Sequence, residues 1–275
     1  MTPSKTPPVV LGFAPSDPSG ASGVQADLLT AASLGCHVLT VLTALLVQDT
    51  AEVEGAQLLA PDFIDDQARC LLEDMPVQAL KVGGLYSPEA VSVVAQVAAD
   101  YPDVPMVLHL GVDSIRASDD DSSDSTVLAQ LELLVPQAHV VVVDHRRLDA
   151  WYAEGLLAKG DTENAVQALL ALGPDHAFIT DVPHAGGAPV NVLAGSGPQA
   201  EAWSWRRLPG SYRGAGSTLS AALTALLARG VPLRQAVIDA QQYTRRALEA
   251  GYQPGMGGIL PNRLFWAGTS SDEEA

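Results

Sequence analysis

Lysine is almost missing from this chain. Lys5, Lys81 and Lys159 are the only three in 275 residues, and 15 lysines plus arginines face 32 aspartates plus glutamates, for a net charge of −17. A field of that sign repels phosphate backbones and anionic headgroups, which argues against nucleic-acid and membrane partners. An acidic chain can still bind a nucleotide if it gathers cations locally. Long apolar runs are missing too, none approaching the roughly eighteen residues of a membrane span. The opening MTPSKTPPVV has no extended apolar region and no small-residue cleavage site, so residues 1–8 read as a flexible tail rather than a secretory leader. A cytoplasmic location is expected. Cysteine is scarce as well: Cys36 and Cys70 read as small buried hydrophobes in a reducing compartment, not as a disulfide.

What is there is a folded-protein composition, 47% hydrophobic and 17% charged. No Pro/Gly/Ser linker and no internal repeat divides the chain, which predicts one domain over residues 9–267 and an acidic tail over 268–275. Short apolar runs alternate with helical segments. Strands are predicted at 9–14, within 37–48, and at 78–85, 104–110, 138–145 and 176–181. Helices are predicted from 23 to 35, from 62 to 74, from 87 to 100 (Ser87 capping, Pro88 in the first position), near 162–172, and over 217–229 and 233–250. The β-branched runs VPMVLHL and AHVVVVDH suit strands covered on both faces. Such alternation implies a mainly parallel sheet with helices on both sides and ligands at the carboxyl ends of the strands. The acidic SDDDSSDS at 118–125 reads as a solvated loop whose spacing matches no calcium site.

Two glycine-rich stretches carry the chemistry. In GFAPSDPSGASGVQADLLTAASLG (12–35), a turn crowded with serine and glycine runs into a helix bearing Gln25 and Asp27. In YRGAGSTLSAALTALLARG (212–230), Gly214, Ala215 and Gly216 lead straight into an apolar helix. That arrangement brings free backbone amides and the positive helix end to one point, a ready anion site for a transferring phosphoryl group. The six histidines show no close i, i+4 pair and no cysteine partner, so no metal site is expected; His109 should sit at a strand end as a hydrogen-bonded structural imidazole.

The first stretch resembles the AGSDPSGGAGIQADLKT signature of the hydroxymethylpyrimidine/phosphomethylpyrimidine kinases, thiamin-pathway members of the ribokinase superfamily. VLTALLVQDT (41–50) is similar to the family's VITALTAQNT, KVGGL (81–85) to KIGML, and GAGSTLSAAL to GTGCTLSAAI; GMGGILPNRLFW (255–266) resembles its closing glycine-rich tail. The resemblance runs in order over nearly the whole chain. It implies a ribokinase-like three-layer α/β sandwich that uses ATP and Mg2+ to phosphorylate a hydroxymethyl-aminopyrimidine or its monophosphate, with a homodimer as a further expectation. Asp27 and Gln48 then match the side chains that hold the pyrimidine, while Ser22, Gly23 and Gly84 lie near its ring. Gly214, Ala215 and Gly216 match the anion site.

The nucleotide half departs from the family pattern. Ser217 stands where the family has a cysteine base, and a hydroxyl is a poor base near neutral pH. His109 replaces the aspartate of a DPVM-type segment. VVDHRRLDAW (142–151) replaces TPN-x-x-E, and Asp181 replaces the lysine of KGGH. Arg213, or Arg146 or Arg147, is the candidate replacement cation. Two other readings follow: a pyrimidine-binding relative that has lost its nucleotide motifs (a sensor, regulator or subunit partner), and a kinase for another small alcohol such as a pyridoxal-like compound.

Overall fold

The structure, a computed structural model of the chain, describes residues 6–111, 120–158, 160, 162–195, 197 and 200–267. The expected acidic tail at 268–275, residues 1–5 of the expected N-terminal tail and residues 118–119 of the acidic segment lie outside the described residues.

β1 (Val9–Ser16) leads into α1 (Gly23–Ser33), then β2 (His37–Gln48) and β3 (Val53–Leu58). Three helix–strand units follow: α2 (Pro61–Asp74) with β4 (Ala79–Val82), α3 (Pro88–Asp100) with β5 (Met106–His109), and α4 (Asp120–Ala129) with β6 (Val140–Asp144). α5 (His145–Glu154) and α6 (Ala165–Ala171) precede β7 (His176–Val182), β8 (Val190–Gly195) and β9 (Glu201–Ser204); α7 (Ala215–Ala228) and α8 (Leu233–Glu249) close the fold. One nine-stranded sheet runs β3-β2-β1-β4-β5-β6-β7-β8-β9. Its middle is parallel, while β3 at one edge and β8 and β9 at the other are antiparallel.

The period-two alternation of strand side chains divides the apolar residues between two layers. On β1, Leu11 and Phe13 pack with Ile64 of α2 and Val91 and Val94 of α3. Val10 points the other way, toward Ala31 of α1 and Ala225 of α7. On β6, Val141 and Val143 join the first layer, whereas Val140 and Val142 meet Leu219 and Leu223 of α7 and Val237 of α8. Each fully buried aliphatic side chain contributes about 1.5–3 kcal/mol, so both layers clamp the sheet firmly. The expected three-layer α/β arrangement is the one the chain forms.

The structure differs from the sequence expectations at identifiable places. β3, β8 and β9 were not anticipated, because edge strands such as VEGAQL and EAWS are half polar and lack an unbroken apolar run. α5 was missed although it carries both end signals. Asp144 caps it by accepting from the Arg146 amide at 2.9 Å, and Gly155 closes it at φ +86. The acidic segment is helical from Asp120 onward, because Leu131 and Leu134 in the following turn are buried against the core and anchor the helix. Both cysteines are free as expected, but Cys70 is exposed: α2 buries only Ile64 and Ala68, and Cys70 lies off that face.

Candidate active site

The opening turn is organised by one carboxylate. Asp17, fully buried just past the end of β1, accepts from the Ser19 amide (2.8 Å) and hydroxyl (2.7 Å) with Oδ1. Its Oδ2 accepts from the Ser22 amide (2.7 Å), the Ser22 hydroxyl (2.8 Å) and Gln48 Nε2 (3.1 Å). Gln25 locks the same turn, accepting from the Asp17 amide at 2.9 Å and donating to Ser16 Oγ at 2.9 Å. Sequence reasoning assigned Asp17 no role. The available signal was Asp-Pro-Ser: an aspartate two residues before an amide donor favours an Asx turn.

The second stretch forms the N-terminus of α7, opposite that turn. Gly214 is the N-cap at φ +77, and a Cβ there would overlap the carbonyl oxygen of Ala21, so only glycine permits the approach of loop and helix. Arg263 fastens the same junction from the chain's closing segment. It is 4% exposed and donates to Gly20 O (2.9 Å), Ala21 O (2.5 Å) and Thr218 Oγ1 (3.1 Å). Helix geometry leaves the first-turn amides of α7 without intrahelical acceptors, and they open at this point.

Two cavities meet there. The smaller, about 190 Å3, is walled by Ser22 and Gly23 on one side, Lys81, Gly83 and Gly84 on another, and Gly214, Gly216 and Ser217 opposite. The larger, about 460 Å3, extends over the ends of β6 and β7 and is lined in part by Trp205, Arg206, Arg207 and Arg245, with Ala215 and Gly216 at its inner end. His109, the last residue of β5, borders both. Burial, reinforced by the charges of Lys81 and Arg147, holds its imidazole down to about 3, so it is neutral at physiological pH. A Cβ on Gly216 would come within 2.7 Å of His109 Nε2, so the glycine lets the helix end meet the ring.

Ser22, Gly23, Gly84, Gly214, Gly216 and Ser217 are therefore brought together around the smaller cavity, and Ala215 faces the larger one. Asp27 and Gln48 border neither. Asp27 sits behind the turn, 2.7 Å from the Nζ of Lys81 in a pair that is almost fully buried. Burial pushes its carboxyl up against the pull of Lys81. Gln48 is held by Asp17 through its amide nitrogen, leaving Oε1 buried without a partner; Asp27 Oδ1 is in the same condition.

The candidate cations separate clearly. Arg213 lines neither cavity; it donates to Ala51 O at 3.0 Å and ties two loops. Arg146 lies 3.6 Å from Asp181 with its side chain 64% exposed, and Arg147 lines both cavities. Asp181 takes φ +64, its carboxylate bound by Arg207 and Arg146. Asp144, His145 and Asp181 bring three ligand-type atoms within 4.8 Å of one another, a grouping that sequence spacing did not suggest because it joins the ends of two strands.

The profile of the family described as phosphomethylpyrimidine kinase matches residues 17–262. The chain belongs to that family. It is 34% identical to the hydroxymethylpyrimidine/phosphomethylpyrimidine kinase of Streptomyces coelicolor over 97% of each chain, and 31% identical to that of Mycobacterium tuberculosis over 96% of each. It also matches the thiamine biosynthesis bifunctional protein of Geobacter sulfurreducens, 30% identical over 94% of this chain and 52% of that longer one. Among solved structures, the phosphomethylpyrimidine kinase of Clostridium difficile superposes with a TM-score of 0.69 at 25% identity, covering 87% of this chain and 98% of that one. An ADP complex of Bacillus subtilis pyridoxal kinase reaches a TM-score of 0.80 at 22% identity over 95% and 99% of the two chains, a likeness of fold.

Within this phosphomethylpyrimidine kinase family member, the departures from the family pattern fall on both sides of the junction. His109 borders both cavities and Asp181 and α5 the larger one, while Ser217, with Ser22 and Gly84 in place of an alanine and a methionine of the pattern, lines the smaller. Among the described residues no helix is long and apolar enough to cross a membrane.

Proposed function

We propose that the protein is an ATP-dependent kinase of thiamin biosynthesis that phosphorylates 4-amino-5-hydroxymethyl-2-methylpyrimidine on its hydroxymethyl oxygen, its monophosphate on the phosphate, or both. The observation that carries this reading is the meeting of two cavities at the amide-rich start of α7. A one-ring substrate fits the smaller and a nucleotide the larger, so that the acceptor hydroxyl and the γ-phosphate converge on Gly214–Ser217. In this reading Ser22, Gly23 and Gly84 pack against the ring. Gln48 acts through Asp17, whose carboxylate shapes the Ser22 turn, and Asp27 acts through Lys81, whose charge it neutralises and orients.

Phosphoryl transfer depends mostly on positioning and charge stabilisation. The α7 amides supply the second without reorganising. Ser217, next to the acceptor, serves as a weak proton relay in place of a thiolate. The nucleotide finds the local cations that an acidic chain needs, since Arg147, Arg206, Arg207 and Arg245 all line its cavity. A magnesium ion arriving with the phosphates fits this wall through one carboxylate, Asp144; Asp181 is already taken by arginines and a histidine nitrogen suits Mg2+ poorly. When bound, that ion neutralises charge on the β- and γ-phosphates. A cytoplasmic location and a homodimer complete the reading. Leu45 and Val47, exposed on one face of β2 next to the β3 edge, offer an apolar surface for the dimer, and light scattering at defined concentration checks it.

Calorimetry with the pyrimidine and with Mg-ATP, followed by a coupled kinase assay, tests the proposal. Binding of both with turnover is expected, and Gly216→Asp, which places a carboxylate against His109 and into the anion site, should abolish turnover. Pyrimidine binding with neither nucleotide binding nor turnover would overturn it and restore the non-catalytic alternative, which is otherwise not favoured.

A further inference from the structure

The residues shared by the two cavities are His109, Gly111, Arg147 and Gly216. Any group passing between nucleotide and acceptor crosses the space they bound. Two of them are glycines and His109 is neutral, so Arg147 is the one permanent positive charge bordering both cavities among the described residues. The other cations lining these cavities each border one of them alone. Lys81 lines only the smaller cavity and is paired with Asp27. Arg207 is bound to Asp181 and Arg245 to Glu249, both beside the larger cavity alone.

We infer that Arg147 is a catalytic residue of the transfer, its guanidinium holding the equatorial oxygens of the phosphoryl group as it crosses from nucleotide to acceptor. This rests on the kinase reading above. The hydroxymethyl oxygen forms the new bond to phosphorus while the bond from phosphorus to the β,γ-bridging oxygen breaks. ADP leaves with that electron pair, and the hydroxyl proton passes by way of Ser217 to water. Arginine suits the task because its planar fork meets two phosphoryl oxygens at once and stays charged at every working pH.

Local structure presets the side chain. Arg147 lies in the first turn of α5, fixed by the Asp144 cap, and its guanidinium rests over the ring of Trp151, 5.9 Å from the centroid and one helical turn away. Trp151 is itself buried, so the platform does not move. The Arg147 charge is also one of the causes of the neutral His109, which places the guanidinium's field at the junction. The cation absent from the family's lysine position in β7 is thus supplied from α5, across the same cavity.

Steady-state kinetics of Arg147→Gln and Arg147→Lys, with ADP binding by calorimetry, test the inference. The glutamine variant should lose about 10²–10³-fold in kcat. ADP affinity and the pyrimidine KM should stay within about threefold, because the contact strengthens only in the transition state. Lysine should recover part of the rate, and free guanidinium should rescue Arg147→Ala but not the parent. Tight binding of ADP with aluminium fluoride should disappear in the glutamine variant while ADP binding persists. An active parent with Arg147→Gln within threefold of its kcat overturns this inference and leaves the kinase reading standing; a parent that binds both ligands without turnover overturns both. If the glutamine variant fails to fold, an absence of guanidinium rescue in folded Arg147→Ala is the refuting result.

Discussion

Arg263→Ala should be one of the most destabilising single changes in this protein. The guanidinium is almost fully buried and serves three acceptors: the carbonyls of Gly20 and Ala21 and the hydroxyl of Thr218. Hydrogen bonds to a charged group are worth about 1.5–3 kcal/mol each. Three of them, reduced by the desolvation that the buried guanidinium itself requires, leave a net loss of about 3–5 kcal/mol. The backbone at this position is held independently, since Tyr243 Oη donates to the Arg263 carbonyl at 2.7 Å and Arg246 sits 4.4 Å over the ring of Phe265. The variant therefore reports the side chain alone. Domains of this kind are stable by only about 5–15 kcal/mol, so the shift is large and easy to read.

Urea unfolding followed by far-UV circular dichroism measures it. Arg263→Lys keeps the charge but not the fork, and should recover about half of the loss. The pyrimidine KM should rise in both, because the Ser22–Gly23 wall hangs from the Gly20 and Ala21 carbonyls that Arg263 holds. An alanine variant within about 1 kcal/mol of the parent would refute the reasoning, since three buried acceptors cannot lose a shared cation so cheaply.

Ser217→Cys should raise kcat about tenfold, because a thiol at a helix N-terminus ionises near neutral pH; Ser217→Ala should lower it, both by the coupled assay. The neutral His109 links stability to pH: with a folded value near 3 against an ordinary value near 6.5, its contribution is complete above pH 6.5 and is lost as pH falls toward 3. The parent should accordingly lose about 1.4 kcal/mol more than His109→Asn between pH 7.5 and 5.5 in urea unfolding, and parallel curves for the two would contradict the buried neutral imidazole. Asp181→Asn keeps a side chain that tolerates φ +64 and releases Arg207 and Arg146, so the KM for Mg-ATP should fall about threefold or more. A rise in that KM would instead mark Asp181 as a cation ligand.

The parallel core was legible in the sequence because β5, β6 and β7 are covered on both faces, and that environment demands unbroken β-branched runs. The edge strands were not, since an edge needs only one apolar face and β9 is a mere four residues, EAWS. The walls of the smaller cavity could be read locally: Ser22 and Gly23 belong to one turn, Gly214 to Ser217 to another. What joins the two turns could not. Arg263 lies 243 residues beyond the Gly20 carbonyl it binds, and nothing in PNRLF marks that arginine as buried. Asp17 was missed for a related reason, because its five donors come partly from Gln48 on a neighbouring strand. Likewise Asp27 follows the family pattern, yet its geometry is that of a counter-ion to Lys81 rather than a cavity wall.

The charge argument shows the same limit from the other side. A net charge of −17 argues against partners that bind through a broad basic surface, and it leads one to expect local cations for a nucleotide. It cannot say where they are, because the cavity draws them from separate elements. Arg147 comes from α5, Arg206 and Arg207 from the segment after β9, and Arg245 from α8. Near an amide-rich helix end these few charges outweigh a distant acidic surface, since counter-ions screen exposed charges beyond about 8–10 Å at physiological salt. Arg147→Gln should therefore remove rate and leave most of the ATP affinity to Arg206, Arg207 and Arg245. In this reading affinity comes mainly from the cations that border the larger cavity alone, and rate from Arg147, which also borders the smaller one.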